Sequence, residues 1–427
     1  MDFTFGVLRP GIIASAGHSA AKRVGINSAW LLLARIIVQV QTLLLTVLVA
    51  RRLGEAAFGQ YSFIASLIFL GNVLSTFGTD TLLIRQVARS RKTDIPEVSA
   101  VLGLQLLFST IIVASVWLWR FPGYTPEFTS ALRLYSLSLF PLAFYSVYSA
   151  ILRGMERMDL ALLASFGTAL AQILVVVLTV LISSHLDILM GALLAVQVFA
   201  MVFSYWLCRA VAPALTIHWK VEKQLLARLL RIAWPLAVLS ILGVFYQRLG
   251  VFALTFSGSD AQTGLYSAAS RVVEALKLGH IAVLGALLPA LVRLRENSER
   301  KAEANRLFRN AAGGLLVLGL AGSVFATIFA APLVNLLFGI RYTPAVPALQ
   351  VLAWILVPYS LSSVLTVKMV SEKKEKYVTL ILALSLVACA CLSVWWIPLW
   401  GLRGACLAAL VAETIQASLL FGWRNGI

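Results

Sequence analysis

The sequence is poor in charge: only 12% of its 427 residues are Asp, Glu, Lys or Arg, against 60% hydrophobic residues. That balance, with a mean hydropathy of +0.91, excludes an ordinary soluble globular domain. Acidic residues are scarcest, 18 against 35 basic ones, for a formal charge of +17. The basic residues fall mostly between long apolar runs, which assigns them to orientation and anionic headgroups instead of nucleic acid. Cysteines number four. Cys208, Cys389, Cys391 and Cys406 lie in or beside apolar runs, with no CxxC pair and no His at ligand spacing, so neither a disulfide framework nor a metal site is expected. A long polar stretch is missing too, which leaves no room for a soluble catalytic domain.

What remains is a set of apolar runs, each long enough to cross a bilayer at about 20 residues per span. About twelve are expected, near 27–50, 57–83, 98–119, 131–152, 159–183, 187–208, 232–256, 263–292, 311–331, 345–368, 377–397 and 402–423. Residues 1–26 read as a short cytoplasmic tail without a secretory signal. Alternate connections are rich in Lys and Arg, with Arg85, Arg89, Arg91 and Lys92 in one and Lys368, Lys373, Lys374 and Lys376 in another. The rule that positive loops stay inside then puts both termini in the cytoplasm.

A faint internal repeat is present. Gly59-Gln60-Tyr61-Ser62 opens the second span as Gly264-Leu265-Tyr266-Ser267 opens the eighth, and Tyr124-Thr125-Pro126 precedes the fourth as Tyr342-Thr343-Pro344 precedes the tenth. Pro141 and Pro358 follow at nearly equal distances, where each can serve packing or a hinge. The matches keep one order and a six-span offset, which predicts an all-α membrane protein of two parallel six-helix lobes around a central cavity. The N-lobe is expected over 27–211, a cytoplasmic linker over 212–231 and the C-lobe over 232–423.

Charges inside the spans point to function, because a cation near the bilayer centre costs about 2.5 to 3.5 kcal/mol. Ser28, Arg35, Gln39, Thr42 and Thr46 fall within about 40° of one another on the first helix, one polar stripe. Gln247 and Arg248 sit in the seventh span. In the eighth, Arg271, Glu274, Lys277 and His280 recur every three residues, a winding ribbon in which Glu274 neighbours both Arg271 and Lys277. The candidate substrate-binding set is Arg35, Gln39, Arg248, Arg271, Glu274 and Lys277. Candidates for coupling to H+, Na+ or the membrane potential are Glu274, His280 and Asp80. An excess of cations, arginines above all, suits a bulky anion bearing phosphate or carboxylate.

Several stretches resemble the Wzx-like polysaccharide-unit flippases of the multidrug/oligosaccharidyl-lipid/polysaccharide (MOP) exporter superfamily, to which the MATE transporters also belong. They are Leu53-Gly54-Glu55-Ala56-Ala57-Phe58-Gly59-Gln60-Tyr61, then Ser75-Thr76-Phe77-Gly78 and Arg85-Gln86-Val87-Ala88-Arg89. Ile151 to Arg157, Gly264 to Arg271, and Leu336-Leu337-Phe338-Gly339 with Tyr342 continue the likeness. The resemblance implies inner-to-outer transport, by alternating access, of an undecaprenyl-pyrophosphate-linked oligosaccharide for O-antigen or exopolysaccharide assembly. It also implies a place in the cytoplasmic membrane, contact with a polymerase, no cofactor, and a pyrophosphate role for Arg35 and Arg271. Two other readings stay open. A cation-coupled multidrug exporter would need carboxylates in its cavity, where Glu274 is outnumbered. A membrane polymerase or ligase would need a sizeable outer loop, and the polar outer clusters are only His185-Leu186-Asp187 and Ser259-Asp260.

Overall fold

The computed structural model describes residues 19–90, 95–119, 123–183, 185–213, 216, 222–296, 300–372 and 374–424, and among these no residue is in a strand. Apolar segments in lipid must satisfy their own backbone, and helices do so internally. The chain runs α1 (Ser19–Thr76), α2 (Thr79–Ser90), α3 (Pro96–Leu118), α4 (Pro126–Ser136), α5 (Leu139–Gly154), α6 (Met158–Ile182), α7 (Leu186–Val211) and α8 (Lys223–Phe256). It continues α9 (Asp260–Leu276), α10 (Leu278–Glu296), α11 (Lys301–Ile328), α12 (Ala330–Phe338), a 3-10 turn (Ile340–Ala345), α13 (Val346–Ala353), α14 (Leu356–Ser371), α15 (Glu375–Trp400) and α16 (Leu402–Arg424). α1 holds two spans, divided at Gly54, whose φ of 79° and ψ of 175° leave the helix by a route open only to glycine. With that division, and with each bent pair counted once, the described helices supply about twelve crossings.

Several boundaries differ from expectation. The second span ends at Thr76, because Phe77 and Gly78 take positive φ and start the separate helix α2. The expected linker 212–231 is helical from Lys223, since Leu225, Leu226, Leu229 and Leu230 pack onto the cluster around Leu83, Val87 and Leu152. The tail expected over 1–26 is already helical at Ser19; residues 1–18 lie outside the described set. The eighth span is not one rod: α9 and α10 meet at 43° about Lys277. α13 and α14 meet at the same angle about Trp354 and Ile355. Pro358 follows that break as Pro141 follows the break at Leu137 and Ser138, so each proline stands in the first turn after a bend, where its missing N–H costs nothing.

Within the first half α1 packs on α6, α3 and α5, and α7 on α4, α5 and α6; within the second, α15 on α16 and α8, and α14 on α11 and α16. The halves meet chiefly where α1 lies along α9 and α8. The repeat explains how. A methyl group added to Gly59 would strike the carbonyl of Asp260, and one added to Gly264 would strike the carbonyl of Glu55. Backbones approach this closely only where both residues are small. Around the crossing, Gln60 Nε2 donates to Asp260 Oδ2 at 2.8 Å. The Tyr124 hydroxyl donates to the Thr255 carbonyl at 3.2 Å, and the Tyr342 hydroxyl to the Ala50 carbonyl at 3.0 Å. Arg51 adds bonds to the carbonyls of Leu337, at 2.7 Å, and Leu336. Residues matched by the repeat thus do matching work on either side of one seam.

Candidate functional site

α9 starts at this seam and carries the charges away from it. Ser259 caps the helix by accepting from the Gln262 N–H. Two turns past Gly264, about 10 Å along the axis, Arg271 Nη1 donates to Glu274 Oε2 at 2.7 Å. The other carboxylate oxygen, Oε1, accepts from Arg248 Nη1 of α8 at 3.3 Å. One carboxylate therefore holds two guanidinium groups from two helices. The side chains are 13% (Arg248), 19% (Arg271) and 26% (Glu274) exposed, so the cluster is mostly withdrawn from its surroundings yet can be reached. Arg248 also lies over the ring of Phe69, on α1, with 5.7 Å to the centroid. Its Nε is buried and has no hydrogen-bond partner among the described residues. The triad keeps one positive charge in excess, and donor N–H groups to spare.

Lys277 does not join it. The bend at this residue turns the side chain toward α14, and Nζ stands 4.2 Å from the centre of the Tyr359 ring, a cation–π contact. The expected pairing of Lys277 with Glu274 is therefore replaced: the sequence spacing assumed an unbroken helix. His280 follows on α10, 1% exposed, with Nε2 2.7 Å from Ser360 Oγ. It serves the packing of α10 on α14. Asp80 is in the first turn of α2, where its charge suits the helix N-terminus, and it makes no ion pair among the described residues. Gln39 is half-buried on α1 and makes no hydrogen bond among the described residues. The hydroxyls of Thr42 and Thr46 donate back to the carbonyls of Val38 and Thr42, so this part of the stripe is satisfied within its own helix. The side chains of Ser28 and Arg35 lie outside the described residues.

One buried carboxylate was missed. Glu413 of α16 is 5% exposed and accepts from the hydroxyls of Ser362, at 2.6 Å, and Tyr246, at 3.1 Å. Its signal was available: it is the sole acidic residue after Glu375. A different cluster, Glu127, His185 and Asp187, brings its ligand atoms within 4.8 Å of one another at the starts of α4 and α7. Two helix N-termini there disfavour a cation, and His185 Nδ1 already sits 3.3 Å from Glu127 Oε1.

The family profile described as "Polysaccharide biosynthesis protein" matches residues 24–295, most of the chain. The chain belongs to the polysaccharide biosynthesis protein family. It is a multi-pass membrane protein. Among solved structures, the lipid II flippase MurJ in its inward closed conformation is similar at a TM-score of 0.77, with 15% identity over 92% of this chain and 87% of that one. A multidrug resistance MATE family transporter in an outward-facing conformation gives 0.68, with 18% identity over 93% and 94%. A MOP superfamily transporter from Pyrococcus furiosus, described as having a binding pocket of reverse polarity, gives 0.67 with 16% identity over 93% and 94%. No curated protein matches the sequence. At such identities these likenesses describe the fold, and the chemistry of this family member has to be read from its own residues.

Proposed function

We propose that this protein is a flippase that moves an undecaprenyl-pyrophosphate-linked oligosaccharide unit from the inner to the outer leaflet of the cytoplasmic membrane. The observation that carries the reading is the Arg248–Glu274–Arg271 cluster, two arginines against one carboxylate, beside the contact between halves in a polysaccharide biosynthesis family member. Planar guanidinium groups match phosphate oxygens two by two, and a partly desolvated pair binds a diphosphate far better than exposed cations do. The isoprenoid tail stays in the bilayer while the sugar and diphosphate occupy the space between the lobes. The seam at Gly59 and Gly264 then closes the outer side, and transport requires it to part by alternating access. The unit delivered feeds a polymerase of O-antigen or exopolysaccharide assembly. The protein transports without itself making or breaking glycosidic bonds, and the membrane potential supplies the drive.

The test is flipping of a fluorescent lipid-diphosphate glycan in proteoliposomes. Arg271→Ala and Arg248→Ala should each slow flipping about 10- to 100-fold, the loss of one or two charge-assisted bonds to the anion. Wild-type rates in the folded double variant would overturn the reading.

A further inference from the structure

The cluster contains something a plain phosphate site does not need, an anion of its own. Glu274 occupies Arg271 through Oε2 at 2.7 Å and Arg248 through Oε1 at 3.3 Å. Both its oxygens are committed to the two groups proposed to hold the substrate. We propose that Glu274 is a displaceable counter-anion: it fills the arginine pair in the empty protein, and the substrate's diphosphate must expel it to bind. This rests on the flippase reading and adds the basis of its selectivity.

Binding is then a competition between anions. Two guanidinium groups buried side by side repel each other and lose hydration, so an empty pair is costly unless an anion lies between them. A tethered carboxylate is already at hand and makes two charge-assisted bonds. An incoming ligand must exceed it. A single phosphate monoanion, the headgroup charge of many bilayer lipids, offers little more than the carboxylate it would replace. A diphosphate offers two phosphoryl groups and more charge, one oxygen edge for each guanidinium fork. The uncommitted Nε of Arg248, buried and without a partner among the described residues, is a donor that Glu274 leaves unused. Glu274 thus keeps abundant monophosphate lipids out. It also returns to the arginines when the substrate leaves, which speeds release. Specificity of this kind comes from raising the threshold for the wrong ligand. Phe69, across from Arg248 on the other half, sets its ring against that guanidinium at 5.7 Å from the α1 side.

The experiment uses the full chain in nanodiscs, with inorganic pyrophosphate and orthophosphate as probes and calorimetry as readout. Glu274→Gln keeps the shape and removes the charge. It should bind pyrophosphate about 10- to 100-fold more tightly than wild type, and orthophosphate should gain at least as much, so that discrimination narrows. In proteoliposomes the same variant should lower both the half-saturating substrate concentration and the maximal flipping rate, a split that a merely structural role would not produce. Glu274→Asp keeps the charge but shortens its reach. It should give intermediate tightening, and it serves as the test if the glutamine variant does not fold. Pyrophosphate binding by Glu274→Gln that equals or falls below wild type would overturn the proposal. If Arg271→Ala abolishes flipping while Glu274→Gln binds no tighter, displacement alone fails. If Arg271→Ala flips normally, the flippase site itself is wrong.

Discussion

The crossing of Gly59 and Gly264 allows a quantitative test of the outer closure. In Gly264→Ala the new methyl would collide with the Glu55 carbonyl and lie 3.1 Å from the Gly59 nitrogen. Both obstacles are backbone, which cannot rotate away as a side chain would. Overpacking of a tight contact costs about 1 to 3 kcal/mol, and backbone obstacles put this case in the upper half of that range. A cost of about 2 to 3 kcal/mol, borne only by the closed seam, shifts the closed-to-open ratio about 25- to 150-fold. The readout is disulfide formation between Gln60→Cys and Asp260→Cys, whose native side chains bond at 2.8 Å, with the four native cysteines replaced. Cross-linking should be fast in the parent and slower in Gly264→Ala, by up to that factor where the open form predominates. Tyr342→Phe, which removes one hydroxyl bond across the seam worth about 1 kcal/mol, should slow it by at most about fivefold. A folded Gly264→Ala protein that cross-links at the parent rate would refute the reasoning, since the halves would then not depend on that close approach.

Two further expectations follow from other parts of the molecule. Glu413→Ala removes the acceptor shared by Tyr246 and Ser362; Ser362 keeps the Tyr359 carbonyl at 3.2 Å, so the loss of the Tyr246 partner should dominate at about 1 to 3 kcal/mol, seen as a lowered melting temperature in detergent, and an unchanged melt would contradict the contact. Carrying about two negative charges outward across 100 mV is favoured by about 4 to 5 kcal/mol when the inside is negative. An inside-negative potassium diffusion potential should therefore accelerate inside-to-outside flipping with no pH gradient present, and a response to the pH gradient alone would transfer the coupling to a protonatable group.

Much of the architecture was legible because lipid simplifies the reading. Long apolar runs had to be helices, and the repeat motifs around Gly59 and Gly264, and around Tyr124 and Tyr342, predicted the two halves. The purpose of those motifs was not legible, because glycine in a helix shows only in three dimensions which backbone it lets in. The association of Arg271 with Glu274 followed from three-residue spacing. That of Arg248 with Glu274 did not, since it depends on how α8 packs against α9. The turn of Lys277 away from Glu274 was not legible because the bend at Lys277 has no proline or glycine at the break itself; only Gly279 follows nearby. Gln39 was chosen for its place on the polar stripe and Asp80 as a carboxylate near the end of a span, and neither criterion distinguishes a half-buried face or a helix end from a cavity wall.

The seam has a consequence for how the two halves can differ. A contact in which each half offers the same glycine to the same carbonyl of the other is self-complementary, the geometry of a two-fold homodimer written into one chain. In a dimer of identical subunits any charge placed beside such a contact would appear twice. Fusion of the halves removes that obligation. Arg248, Arg271 and Glu274 stand together in the second half, whereas the aromatic ring of Phe69 faces Arg248 from the first. The joint stays symmetric, while the surroundings beside it are free to be one-sided, with charged groups on the second half and an aromatic ring opposite.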